Sequence, residues 1–196
     1  MKQSARGYTV VELMMSLAVF ATGVTGVIAM ERATITSNQQ AKNVALANGI
    51  AQAWLSQLAA DATLWTRTGD VTRTTWLTTI TAANDLWQLP VYNANLQFGP
   101  QFDGFGAPVA ANGVFCAQIR LTWLYGDKSA QQTSGLAGNG VIRTEVRVFW
   151  PRDATYVVAN DCQNGTKATI DAVTAALGNG SGLYHVVTQA GAVRQP

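Results

Sequence analysis

Groups able to hold a charge, a metal or a nucleophile are few in this chain, and their spacing narrows the chemistry quickly. His185 is the single histidine, so neither a multi-histidine metal site nor a histidine pair can be assembled. It stands in the apolar stretch "GLYHVVTQ", the setting of a packed core histidine rather than of a catalytic base. Aspartates such as Asp61, Asp85, Asp103 and Asp127 are scattered singly, and no spacing signals the carboxylate pair that acid–base chemistry uses. "DGFG" at Asp103 lacks the alternating oxygen ligands of a calcium loop and reads as a turn. "GLAGNG" lacks the strand–helix context of a phosphate cradle. Asn164 and Asn179 fit the glycosylation sequon, but Asn-Gly is also plain turn chemistry, and that is the reading adopted. No enzyme activity, cofactor or metal is expected.

One acid stands apart. Glu12 lies within "KQSARGYTVVELMMSLAVFATGVTGVIAM", immediately before the 18 uncharged residues Leu13 to Met30. As a helix that run spans about 27 Å, close to the hydrocarbon thickness of a bilayer. An ionised carboxylate held in such a segment costs about 2.5–3.5 kcal/mol even on a lenient insertion scale, so it calls for a positive partner. Lys2 and Arg6 precede the run and put the N-terminus on the cytoplasmic side, while Glu31 and Arg32 mark the far edge. A secretory signal would end at a small-residue cleavage site. Here helix-compatible sequence continues through "ERATITSNQQAKNVALANGIAQAWLSQLAADATLW", so the apolar segment is expected to stay in the mature protein. Cys116 and Cys162 then both face an oxidising compartment. A bridge between them would close a loop of about 47 residues, worth roughly 4 kcal/mol in the chain-entropy account. That bridge is the expectation; two buried free thiols are the alternative.

"RGYTVVELMMSLAVF" resembles the class III prepilin signature of type IV pilins and pseudopilins. The signature is a short basic leader, a glycine, an aromatic or apolar residue, three further residues, a glutamate and then the apolar helix. The likeness covers roughly residues 5 to 30. It implies that a prepilin peptidase cleaves after Gly7 and methylates the new amine of Tyr8, which stands where most members have phenylalanine. It also implies a pilin-like fold, in which a long N-terminal helix packs on an antiparallel sheet. Residues 1–7 are then a removed leader and 8–30 the transmembrane and assembly helix. Residues 31–196 are the periplasmic or extracellular head, including the C-terminal half of the long helix. The implied partners are other major and minor pilins, the prepilin peptidase, the inner-membrane assembly platform and a tip adhesin. Main subunits of the family often carry a proline about two-thirds along the membrane segment. This chain has none, although Gly23 and Gly26 can loosen the same region. Cleavage would also supply the cation that Glu12 needs. The freed amine of Tyr8 lies four residues away on the same helix face, and a neighbouring subunit's amine is equally reachable in a helical stack. Pairing across subunits would set axial register. A glutamate snorkelling to headgroups is the plainer alternative.

The remaining elements follow from periodicity. Val44, Ala47, Ile50, Ala51, Trp54 and Leu58 recur at steps of three and four, while Asn43, Gln52 and Gln57 fall off that stripe. One helix of about 50 residues therefore begins in lipid and ends with an apolar face that something must cover. "TTWLTTITAANDLW" predicts a second, short helix with Trp76, Ile80, Ala83 and Trp87 on its stripe. In "VFCAQIRLTWLYGD", Phe115, Ala117, Ile119, Leu121 and Trp123 alternate with more polar neighbours. In "VIRTEVRVFWPR", Ile142, Val146, Val148 and Trp150 face one way and Arg143, Glu145 and Arg147 the other. That period of two predicts half-covered antiparallel strands. "GLYHVVTQ" is a shorter third strand, and long Gly/Asn-rich stretches join the three. The fold class is α+β.

Charge excludes one further class. The formal net charge is +2, and from Ala33 onward ten Lys/Arg face nine Asp/Glu without a run of either sign. No basic stripe for nucleic acid is present. The sequence thus reads as a minor pilin, with a structural role in priming assembly of a type IV pilus or forming its tip, for adhesion and twitching motility. It would sit in the inner membrane before assembly and on the pilus surface afterwards. A pseudopilin of a type II secretion system has the same signature and is the first alternative. A membrane-tethered periplasmic enzyme or adhesin is the second, and the missing catalytic constellation weighs against it.

Overall fold

The computed structural model describes residues 9–65, 71–81, 85–124, 141–152, 162, 173–175 and 183–194. The long helix is there: α1 runs unbroken over Val10–Ala62, 53 residues. By contacts the chain forms two compact units, Met1–Asn43 and Val44–Pro196, and α1 contributes to both.

Among the described residues the second unit holds six strands: β1 (Trp87–Gln88), β2 (Gln101–Phe102), β3 (Pro108–Val109), β4 (Phe115–Trp123), β5 (Val141–Pro151) and β6 (Tyr184–Arg194). They form one antiparallel sheet in the order β3-β2-β4-β5-β6, with β1 also paired to β4. The second half of α1 packs on this sheet. Ala47, Ile50, Ala51, Trp54 and Leu58, the apolar stripe, share one buried cluster with Ala117, Ile119, Leu121, Ile142, Val146, Val148 and Trp150. Each fully buried aliphatic side chain contributes about 1.5–3 kcal/mol of transfer free energy. Trp54 anchors the contact, edge-on to Trp76 at 5.5 Å and to Phe98 at 4.6 Å. The approach is close enough to require a glycine on β6. A Cβ at Gly191 would meet Leu55 at 3.2 Å and the Thr144 hydroxyl at 3.3 Å.

Four expectations need correction. The second helix is only a 3₁₀ turn, Leu77–Thr81. Trp87 belongs to β1, opposite Arg120, and Ala83 lies outside the described residues. The cause is a long-range cap. The buried Asp61 carboxylate, at the end of α1, accepts the N–H groups of Thr75, Trp76 and Leu77 at 2.7, 2.9 and 3.0 Å. It therefore fixes a tight turn where threonine-rich sequence gives a longer helix little support.

Glu145 and Arg147, expected on an open sheet face, are 6% and 4% exposed. Arg147 is covered by the Trp87 ring, which carries its guanidinium at 4.3 Å and that of Arg120 at 4.9 Å, and by Thr174, while Glu145 is flanked by Arg120 and Arg143. The third strand does not stop at Gln189 but continues through "AGAV" to Arg194, paired with β5 along all eleven residues. Small residues there carry no alternation to read. His185 is not a core residue: it sits half-buried on this outer strand, stacked on Trp150 at 5.3 Å.

Candidate functional site

Helix α1 opens at Thr9, whose hydroxyl accepts the Glu12 N–H at 3.3 Å while its carbonyl accepts those of Glu12 and Leu13. Glu12 lies in the first turn, where the helix dipole favours an acid. Thr9 and Glu12 therefore have capping-box spacing. That signal was open in the sequence, but attention to the charge alone passes it by. Gly7 and Tyr8 lie outside the described residues.

From Val10 to Met30 the helix offers apolar side chains in every direction. Val10, Leu13, Met14, Met15, Leu17, Val19, Phe20 and Met30 are all exposed. The most apolar 18-residue window has a mean hydropathy of 2.0 and none of it is buried. The few polar groups are silenced locally. The hydroxyls of Ser16, Thr22, Thr25 and Thr34 donate to the carbonyls of Leu13, Val19, Ala21 and Met30 at 2.8–2.9 Å. An unpaired hydroxyl in an apolar medium would cost several kcal/mol or less depending on the reference, roughly 2–7, and here that cost is avoided. The helix is long and apolar enough to cross a membrane, and an uncovered surface of this extent calls for lipid or protein around it.

Most described polar side chains in the second unit find partners, while the indole N–H groups of Trp54 and Trp76 and the Gln118 Nε2 are buried without one. Cys116 and Cys162 are joined by a disulfide with Cα atoms 5.9 Å apart, which settles the pair against free thiols. The bridge is buried with Phe149, Val173 and Tyr184. Beside it, Arg147 donates from Nε to Gln118 Oε1 and from Nη2 to Thr174 Oγ1, both at 2.7 Å. Burial first, and repulsion from Arg120 second, push the Arg147 guanidinium down to about 10, so it remains a cation at neutral pH. Arg120 and Arg143 both pair with Glu145. Asp103 Oδ1 accepts the N–H groups of Phe105 and Ala107 at 2.8 and 2.9 Å, which makes "DGFG" a self-capped turn. Asp85 accepts the Thr122 hydroxyl at 3.0 Å. Asp127, Asn164 and Asn179 lie outside the described residues. Among the described residues, no three His, Cys, Asp or Glu side chains gather where they could hold a metal.

The arrangement can do one thing well, which is to present an apolar helix surface tipped by a carboxylate. Comparison of the chain with protein-family models, with characterised proteins and with solved structures found no match.

Proposed function

We propose that this chain is a minor pilin-like subunit of a bacterial type IV pilus, with a structural rather than catalytic role in priming the filament or forming its tip. One observation carries the reading: an apolar helix with no cover of its own begins with Glu12 in its first turn, five residues after Gly7. Lipid covers Leu13–Met30 before assembly, and like helices of neighbouring subunits cover it afterwards. Burying the same area against protein adds van der Waals contact that lipid does not supply with fixed geometry. The Glu12 carboxylate then pairs with the α-amine of a processed Tyr8, its own or a neighbour's; where the amine is a neighbour's, a subunit out of axial register leaves both charges without a partner.

The test is Glu12→Ala in the producing cell. The variant is expected to be cleaved and held in the membrane yet missing from sheared pili; normal incorporation would overturn the role of Glu12. Mass spectrometry of the mature protein is expected to find N-methylated Tyr8 as the first residue. Deletion is expected to abolish twitching and to leave exoprotein secretion intact; the reverse pattern assigns the chain to a secretion pseudopilus.

A further inference from the structure

The assembly role leaves two neighbouring hollows of the second unit unused, and they share Tyr92. One, of about 330 Å³, is also lined by Thr75, Trp76 and Asn93. The other, of about 220 Å³, is also lined by Pro90, Pro100 and Gln101. Their walls are fixed before any ligand arrives. The Asp61 carboxylate holds the backbone of Thr75 and Trp76, and the Trp76 ring is braced edge-on by Trp54 at 5.5 Å and by Phe98 at 6.0 Å. Opposite, Asn93 and Phe98 exchange both backbone hydrogen bonds, at 2.8 and 3.2 Å. Tyr92 lies so close over Gly99 that a Cβ there would come within 2.5 Å of its Cδ2, so only glycine lets the ring stay where it is.

The lining has a definite chemistry. Among the described residues that face either hollow, none is charged. Two aromatic rings stand beside amide donors that the fold does not use. Gln101 is only 3% exposed. Its Oε1 accepts the Gly113 N–H at 2.9 Å, and because that N–H can only donate, the amide has one orientation. Nε2 keeps some accessible surface and finds no acceptor among the described residues. Asn93 repeats the pattern: its Oδ1 accepts the N–H groups of Asn95 and Leu96 at 3.0 and 3.1 Å, which leaves Nδ2 unspent. A nearly buried donor without an acceptor costs free energy that a ligand oxygen would recover.

We propose that the two hollows form a binding site for a neutral glycan, with one sugar ring in each. Hydroxyls supply the acceptors that Gln101 Nε2 and Asn93 Nδ2 lack, and the C–H faces of pyranose rings suit the Trp76 and Tyr92 rings. Other ligand classes fit less well. An acidic sugar, a phosphate or a nucleic acid finds no cation in the described walls. A wholly apolar molecule leaves the Gln101 donor unpaired. An extended peptide needs main-chain partners, yet Pro90 and Pro100 have no N–H, and the Pro100 carbonyl already accepts the Ala117 N–H at 2.7 Å. Ligand sites usually run to about 300–1,000 Å³, and hollows at the small end of that range suit a disaccharide rather than a large cofactor.

The test uses the full chain in phosphatidylcholine nanodiscs, because sugar-headed detergents would compete. Overlaid on a printed array of neutral glycans, acidic glycans and neutral peptides, it is expected to be retained by neutral glycans. A retained disaccharide is then titrated by saturation-transfer NMR. Asn93→Asp keeps the bonds to Asn95 and Leu96 while removing the donor, and Gln101→Glu keeps the bond to Gly113 in the same way. Each is expected to weaken binding by up to roughly tenfold, and Tyr92→Ala by about thirtyfold. Asn93→Asp is at the surface and should melt like the native chain, so its loss of binding is not a loss of fold. Retention by no neutral glycan, preference for acidic glycans or for peptides, or undiminished binding by Asn93→Asp and Tyr92→Ala overturns the proposal. None of these results bears on the Glu12→Ala outcome, so the two readings fail separately.

Discussion

Residues Val10–Met30 and Ala47–Leu58 belong to one helix, yet the first stretch leaves Phe20 70% exposed while the second hides Trp54 and Leu58 completely. Both are apolar. What differs is distribution around the axis: the first is apolar on every side, whereas the second confines its apolar residues to a stripe that the chain's own sheet covers. Apolar content says that a segment must be covered; its angular spread says whether the cover is inside the protein or outside it.

That contrast can be broken most forcefully at its two aromatic anchors. Trp54→Ala empties a fully buried site that touches Trp76 and Phe98. It is expected to cost about 4–5 kcal/mol, seen as a large drop in the head's thermal midpoint in detergent. Phe20→Ala in the same preparation should leave that midpoint unchanged. A comparable loss from Phe20→Ala would mean that the first stretch is covered by the head after all.

Replacing Cys116 and Cys162 together with serine should cost the head roughly 2–4 kcal/mol. The loss should appear in the same melt, and a reductant should reproduce it in the native chain but not in the variant. The helix signal of Val10–Met30 should survive.

The smallest effect concerns His185. Burial, and then Arg152, lower its pKa from the ordinary value. The unfolded chain thus takes up its proton first as pH falls. The stability tied to neutral His185 is present above about 6.5 and lost below it, through the lower folded value. A slight fall in midpoint between pH 7 and pH 5 is expected, and His185→Gln should remove it. A rise in midpoint over that range would contradict the sign.

The parts legible in sequence were those whose cause is local. Helix α1 follows from its 18-residue uncharged run and from the stripe at Ala47, Ile50, Trp54 and Leu58; β4 and β5 follow from strict alternation; "DGFG" follows from Asp103 capping its own turn. The bridge of Cys116 to Cys162 followed from compartment rather than spacing. What stayed hidden depends on distant partners. Asp61 caps a turn fourteen residues on, which converts an apparent helix into a 3₁₀ turn and frees Trp87 for β1. Arg147 and Glu145 look solvent-facing by period alone, because nothing in β5 announces that Trp87 and Thr174 lie against the first and Arg120 against the second. Thr9 was a missed local signal, three residues before Glu12.

The inward-turned hydroxyls of Ser16, Thr22 and Thr25 have one more effect. Since each is already bonded to its own helix, the stretch Leu13–Met30, beyond Glu12, needs no side-chain donor or acceptor from whatever surrounds it. Leaving a bilayer for a bundle of similar helices would thus break no hydrogen bond and strand none. The exchange is one of contact for contact, with no hydrogen-bonding cost in either direction.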